Sequence, residues 1–150
     1  DEQLTYTAGE ESLIIHYKGW NIRPIICYDL RFPVWCRNRI HHSEAYRGEY
    51  DVLFVVASWP ARRELAWRTL TQARAIENMS YLVACNRIGE DIHQINHSGY
   101  SVIHDMLGEV LTTAQSDDST IYATLDLNTL IKTRRAYQFW RDADDFSFKP

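Results

Sequence analysis

The sequence predicts an α/β fold with a mixed sheet, on three observations. Asp51–Ala57 is rich in β-branched and aromatic residues and continuously apolar from Val52, the pattern of a strand buried on both faces. Ala61–Met79 follows as a long helix, with Ala66, Leu70, Ala73 and Ile76 at helical spacing on one face, and Tyr81–Asn86 then reads as another strand. Strand–helix–strand order calls for parallel pairing, and hairpins later in the chain make the sheet mixed.

The remaining elements follow in order. Ser12–His16 and Ile22–Cys27 read as strands joined by a turn at Lys18-Gly19-Trp20-Asn21. Pro33 opens a helix expected to run to about Ser43 and to end before Gly48, since proline costs no hydrogen bond in a first turn. Glu90–Asn96 is a polar loop. Tyr100–His104 and Glu109–Thr112 form a hairpin around Asp105-Met106-Leu107-Gly108. Thr120–Leu125 reads as a strand and Leu127–Arg135 as a short helix. No internal repeat, low-complexity stretch or linker interrupts the 150 residues, a length that suits one domain, with 136–150 as a tail.

Composition narrows the function. Lysine and arginine number 16 against 20 aspartates and glutamates, a formal net charge of -4 without a basic stripe, which argues against a nucleic-acid partner. No apolar run approaches a membrane span. Cys27, Cys36 and Cys85 are odd in number and lack a C-x-x-C, favouring free thiols in a reducing compartment and hence a cytoplasmic location. The glycines form no G-x-G-x-x-G and no P-loop, so no nucleotide cofactor is expected. His93 and His97 are four apart in a polar loop with no third ligand nearby, and no metal site is expected.

The segment Ile25-Ile26-Cys27-Tyr28-Asp29-Leu30-Arg31-Phe32-Pro33 places a cysteine where an apolar strand meets polar residues and a helix start. That suits a nucleophile at the exposed end of a buried strand, where a helix N-terminus favours a thiolate. The competing reading is a buried structural cysteine. Cys36 and Cys85 read as packing residues. Asp29 and Arg31 either orient the loop and meet substrate, or form an ion pair that fixes the turn together with Glu77. Trp59, Arg62, Arg63 and Trp67 follow the end of a central strand, where ligands bind in open α/β sheets. Trp59 would wall the pocket, and Arg31 or an arginine of this group could hold a substrate carboxylate in a bidentate fork. Singly, Arg62 and Arg63 also read as solvated residues of a first helical turn.

Cys27-Tyr28-Asp29-Leu30-Arg31-Phe32-Pro33-Val34-Trp35 resembles the nucleophile segment of the nitrilase (carbon–nitrogen hydrolase) superfamily, and within it the omega-amidase branch. Ala57-Ser58-Trp59-Pro60, Ala73-Arg74-Ala75-Ile76-Glu77-Asn78, Asn86-Arg87-Ile88-Gly89, His97-Ser98-Gly99-Tyr100-Ser101, Asp105-Met106-Leu107-Gly108-Glu109 and Trp140-Arg141-Asp142-Ala143-Asp144 resemble later family segments in the same order. The resemblance implies part of an αββα four-layer sandwich with its N-terminal half absent. Residues 1–150 would then be the C-terminal portion of a single hydrolase domain, and one half alone would expose an apolar sheet face.

It also implies chemistry. Family members use a Glu-Lys-Cys triad, of which only the cysteine segment is matched, at Cys27. Lys18 lies in a turn and does not match the lysine motif. Glu2 falls near the place of a further glutamate used by many members, against the alternative of an exposed terminal acid. The backbone N–H of Tyr28 and the unmatched lysine would hold the oxyanion. The implied activity is cleavage of a small amide through a cysteine thioester without a cofactor. An omega-amidase acting on 2-oxoglutaramate or similar 2-oxo acid monoamides fits best, with Arg31, Trp59, Arg62 and Trp67 at the substrate. The isolated chain is expected to be inactive without the missing N-terminal half. Other amides or nitriles, and a non-catalytic binding or assembly module of the same fold, remain the alternatives. A homodimer or higher homo-oligomer is expected, with Tyr137, Phe139, Trp140, Phe146 and Phe148 of the tail near the interface.

Overall fold

Lys18 and Gly19 both take positive φ, 47° and 83°, as a two-residue hairpin turn requires. They join β1 (Ile15–Tyr17) to β2 (Trp20–Ile26) in the computed structural model, which describes residues 4–7, 9, 11–41 and 45–144. After β2 come a 3-10 turn, Cys27–Arg31, and a single helical turn, α1 (Pro33–Cys36). A small hairpin follows, β3 (Ile40–His41) with β4 (Arg47–Gly48). Then come β5 (Val52–Ala57), α2 (Glu64–Glu77) and β6 (Tyr81–Asn86). Two further hairpins pair β7 (Ile88–Glu90) with β8 (Asn96–Ser98), and β9 (Val102–His104) with β10 (Val110–Thr113). The last helix is α3 (Leu127–Tyr137).

The main sheet runs β1-β2-β5-β6-β9-β10. Its centre, β2, β5 and β6, is parallel, and β1, β9 and β10 are antiparallel to their neighbours. Ile25, Val55 and Ala84 share one face of the three parallel strands and pack with Leu53, Leu82, Trp67 and Ala75 in the main core. On the other face Val52 and Tyr81 pack with Met106 and Leu130, so α3 covers the N-terminal ends of the strands. Farther along that face Ile26 is 67% exposed, and Phe54, Val56 and Cys85 are also exposed. The expected burial of Asp51–Ala57 on both faces therefore holds for one face only, and Cys85 is not a packing residue in this structure.

An ion network anchors α3. Asp51 and Arg134 are both fully buried, 3.2 Å apart, and Arg134 also donates to the carbonyls of Met79 at 2.8 Å and Tyr50 at 2.9 Å. Arg47, at 2.5 Å, and the Asn21 N–H, at 3.0 Å, complete the Asp51 carboxylate. Burial pulls the Arg134 pKa down to about 10 against the opposing pull of Asp51.

Four other expectations change. The Pro33 helix stops after Cys36, because Arg23 takes the carbonyls of Trp35 and Arg37 while the Asn38 amide turns to Tyr50 and Asn78. The buried stripe of α2 is Trp67, Thr71, Arg74 and Ala75, with Ile76 exposed. Part of the polar loop 90–96 is the turn of the β7–β8 hairpin. Thr120–Leu125 forms no strand; Leu125 instead lays its side chain on the α3 side of the sheet.

Candidate active site

Because β2, β5 and β6 are parallel and in register, with Ile26 opposite Val56 and Val56 opposite Cys85, their C-terminal ends meet at one edge of the sheet. Cys27, Trp59 and Asn86 all lie there. Cys27 opens the 3-10 turn with φ of 41°, in the left-handed region, where a residue other than glycine costs about 1–3 kcal/mol. The chain is thus bent sharply at the cysteine, whose side chain is half-buried against the core. The helix start expected at Pro33 is present as the four-residue α1, and the five-residue 3-10 turn lies between β2 and it.

Arg31, at the end of the same turn, lays its guanidinium over the Trp59 ring at 4.6 Å. Trp59 is buried, tilted against Trp67 at 5.6 Å, and its indole N–H donates to the Arg63 carbonyl at 2.8 Å. The structure thus brings Cys27, Arg31 and Trp59 to one place. Trp67 lies behind them, 1% exposed, with its N–H on the Tyr100 carbonyl. Arg62 is exposed on the 3-10 turn Ala61–Arg63. The Tyr28 side chain is exposed and meets Phe32 edge-on at 5.2 Å. Glu2 lies outside the described residues, as do Phe146 and Phe148. Asp29 and Arg31 do not pair with each other: Asp29 accepts the Ile26 N–H, and Glu77 takes Arg74 at 2.8 Å.

Two supporting residues make contacts that the sequence alone does not show. Asn86 is buried at the end of β6. Its Oδ1 accepts the Trp59 N–H at 2.7 Å, and its Nδ2 donates to the carbonyls of Trp59 at 3.3 Å and Gly99 at 2.8 Å. One amide therefore fixes the loop that carries Trp59. Cys36, fully buried, donates its thiol to the Asp29 carbonyl at 3.4 Å. Burial pushes that thiol's pKa up, against the charges of Arg74 and Arg23, which suits a packing residue and not a nucleophile.

A cleft of about 860 Å³ runs beside the elbow, lined by Leu13, Arg23, Ile25, Ile26, Asp29 and Phe32 among others. Among the described residues no group of three or more His, Cys, Asp or Glu is placed to hold a metal ion, and no helix is long and apolar enough to cross a membrane.

Comparison with known proteins completes the description. A family model described as carbon–nitrogen hydrolase matches residues 1–135. The omega-amidase YafV of Escherichia coli K12 is 42% identical over 147 residues, covering 97% of this chain and 54% of that protein. A 2-oxoglutaramate amidase of Bacillus subtilis is 34% identical over 142 residues, covering 95% of this chain and 52% of that one. The solved structure of a CN-hydrolase superfamily protein from Xanthomonas campestris, which carries an arsenic adduct in its active site, superposes with a TM-score of 0.93 at 38% identity, over 99% of this chain and 56% of that one. The chain spans about half the length of the curated relatives it matches.

Proposed function

The chain belongs to the carbon–nitrogen hydrolase family, and on that premise we propose that the complete protein hydrolyses the terminal amide of a small 2-oxo-dicarboxylate monoamide, 2-oxoglutaramate or a near analogue. The observation that carries the reading is the elbow at Cys27 with Arg31 laid on Trp59 beside it. Similarity to an omega-amidase and to a 2-oxoglutaramate amidase supports the substrate class.

The Cys27 thiolate attacks the amide carbonyl, and the tetrahedral oxyanion takes the Tyr28 N–H as one donor. Collapse expels ammonia, protonated by the carboxyl of the family's base glutamate with the proton it took from the Cys27 thiol, and leaves an acyl thioester on Sγ. Water, deprotonated by the same carboxylate, then releases the dicarboxylic acid and restores the thiol. The family's base glutamate and oxyanion lysine have no matching motif among these 150 residues, so the 150-residue chain alone is inactive in this reading. The exposed apolar patch of Ile26, Phe54 and Val56 is the sheet face against which the N-terminal half packs. Arg31, stacked and free of an ion pair among the described residues, meets the substrate's distal carboxylate.

The reading also includes a homodimer or larger homo-oligomer and a cytoplasmic location, the latter supported by three free thiols. Tyr137 and Phe139 stack at 5.4 Å and are exposed, as an interface would need, whereas Trp140 donates to the Arg134 carbonyl of its own chain. Light scattering of the complete protein with and without residues 136–150 tests this; a monomer in both forms overturns it. Ammonia release from a panel of amides tests the function. Equal or faster turnover of amides without a carboxylate would overturn the substrate assignment.

A further inference from the structure

We propose that Asp29 is the positioning residue that holds the Cys27 elbow in shape, and that it acts through its hydrogen bond and not through its charge; this rests on Cys27 being the nucleophile of the amidase reading. The β2–β5 ladder supports the chain as far as Ile26, the last residue in register. One residue later the backbone enters the left-handed region at Cys27, a conformation that persists only where the surroundings impose it. The contact that closes the bend is Asp29 Oδ2, which accepts the Ile26 N–H at 2.9 Å. This is the returning half of a capping box, in which the third side chain of a helical turn takes the N–H of the residue preceding it.

Asp29 is itself held. Its carbonyl accepts the Phe32 N–H at 3.0 Å and the Cys36 thiol at 3.4 Å. Cys36 is fully buried, and its carbonyl accepts the Tyr50 hydroxyl at 2.5 Å. A chain of contacts therefore runs from the core through Cys36 and Asp29 to Ile26, and Cys27 lies between the two tethered points.

The contacts of Asp29 point to a geometric role. Its carboxylate accepts the Ile26 N–H, and among the described residues no hydrogen bond joins it to Cys27. Arg31 does not neutralise Asp29, since it lies over Trp59. What the backbone needs at this place is an acceptor, and asparagine offers the same acceptor without the charge.

The test compares Asp29→Asn and Asp29→Ala in the complete protein. The readouts are kcat and KM on 2-oxoglutaramate, the rate of iodoacetamide alkylation of Cys27 from about pH 6 to about pH 9, and circular dichroism for the fold. Asp29→Ala is expected to lower kcat about 30- to 100-fold with KM within about threefold, and to change Cys27 alkylation across the whole pH range. Asp29→Asn should stay within about threefold of the unmodified enzyme in both. Equal losses in the two variants, or an unchanged Asp29→Ala, would overturn the proposal. Should Asp29→Ala not fold, Asp29→Asn decides: retention supports the acceptor role and a loss of about tenfold or more refutes it. If the unmodified protein hydrolyses no amide, the amidase reading fails, and the alkylation arm still decides the role of Asp29.

Discussion

Replacing Arg31 by methionine in the complete enzyme removes the guanidinium that lies over the Trp59 ring at the end of the Cys27 turn. Its guanidinium carbon lies 4.6 Å from the centre of the Trp59 ring, and Trp59 is fixed in turn by Asn86 at 2.7 Å and the Arg63 carbonyl at 2.8 Å. A hydrogen bond to a charged group contributes about 1.5–3 kcal/mol. A two-bond fork on a substrate carboxylate, discounted for partial exposure, therefore contributes about 3 kcal/mol, or about 150-fold in kcat/KM. Arg31→Lys keeps the charge but loses the two-bond fork, leaving a deficit of about 1.5 kcal/mol, or roughly 12-fold. The assay is steady-state ammonia release from 2-oxoglutaramate and from an amide of equal length lacking the distal carboxylate. Arg31→Met should lower kcat/KM for the first about 150-fold while leaving the second within about threefold. An equal loss on both amides would refute the carboxylate fork and leave Arg31 as a support of the elbow.

Arg134→Leu should reduce unfolding free energy by about 3–5 kcal/mol, because it leaves Asp51 with a partner fewer and strips donors from the buried Met79 and Tyr50 carbonyls; urea denaturation measures this, and a loss under about 1 kcal/mol would contradict it. Burial pushes the His104 pKa down, so the folded state holds this imidazole neutral. Its contribution is present above the unfolded value of about 6.5 and is lost as pH falls through that value towards the lower folded one. Urea midpoints at about pH 7.5 and about 5.5 should therefore fall further in the unmodified protein than in His104→Gln, and equal falls would contradict the assignment.

The central strands and α2 were legible because their signals are local: a run rich in valine for Val52–Ala57, a short apolar run for Tyr81–Asn86, helical spacing for Glu64–Glu77. The Cys27 segment was legible as a strand end followed by polar residues. What could not be read depends on contacts distant in sequence. The Pro33 helix is cut short by Arg23 from the neighbouring strand, 12 and 14 residues away. Thr120–Leu125 has strand-like residues, yet no described strand pairs with it, and burial of Leu125 against the sheet decides its path. Asn86 looks like any polar strand terminus until the fold brings Trp59 and Gly99 to its amide. The Asp51–Arg134 pair spans 83 residues and leaves no periodic trace.

Mass spectrometry of the complete protein, acid-quenched during turnover of 2-oxoglutaramate, locates the covalent intermediate. An acyl adduct should appear on the peptide containing Cys27, and both adduct and turnover should vanish in Cys27→Ala with the fold intact. Cys36→Ser should keep most of the activity, since its hydroxyl can still donate to the Asp29 carbonyl. An adduct on Cys36 or Cys85, or turnover that survives in Cys27→Ala, would contradict Cys27 as the nucleophile.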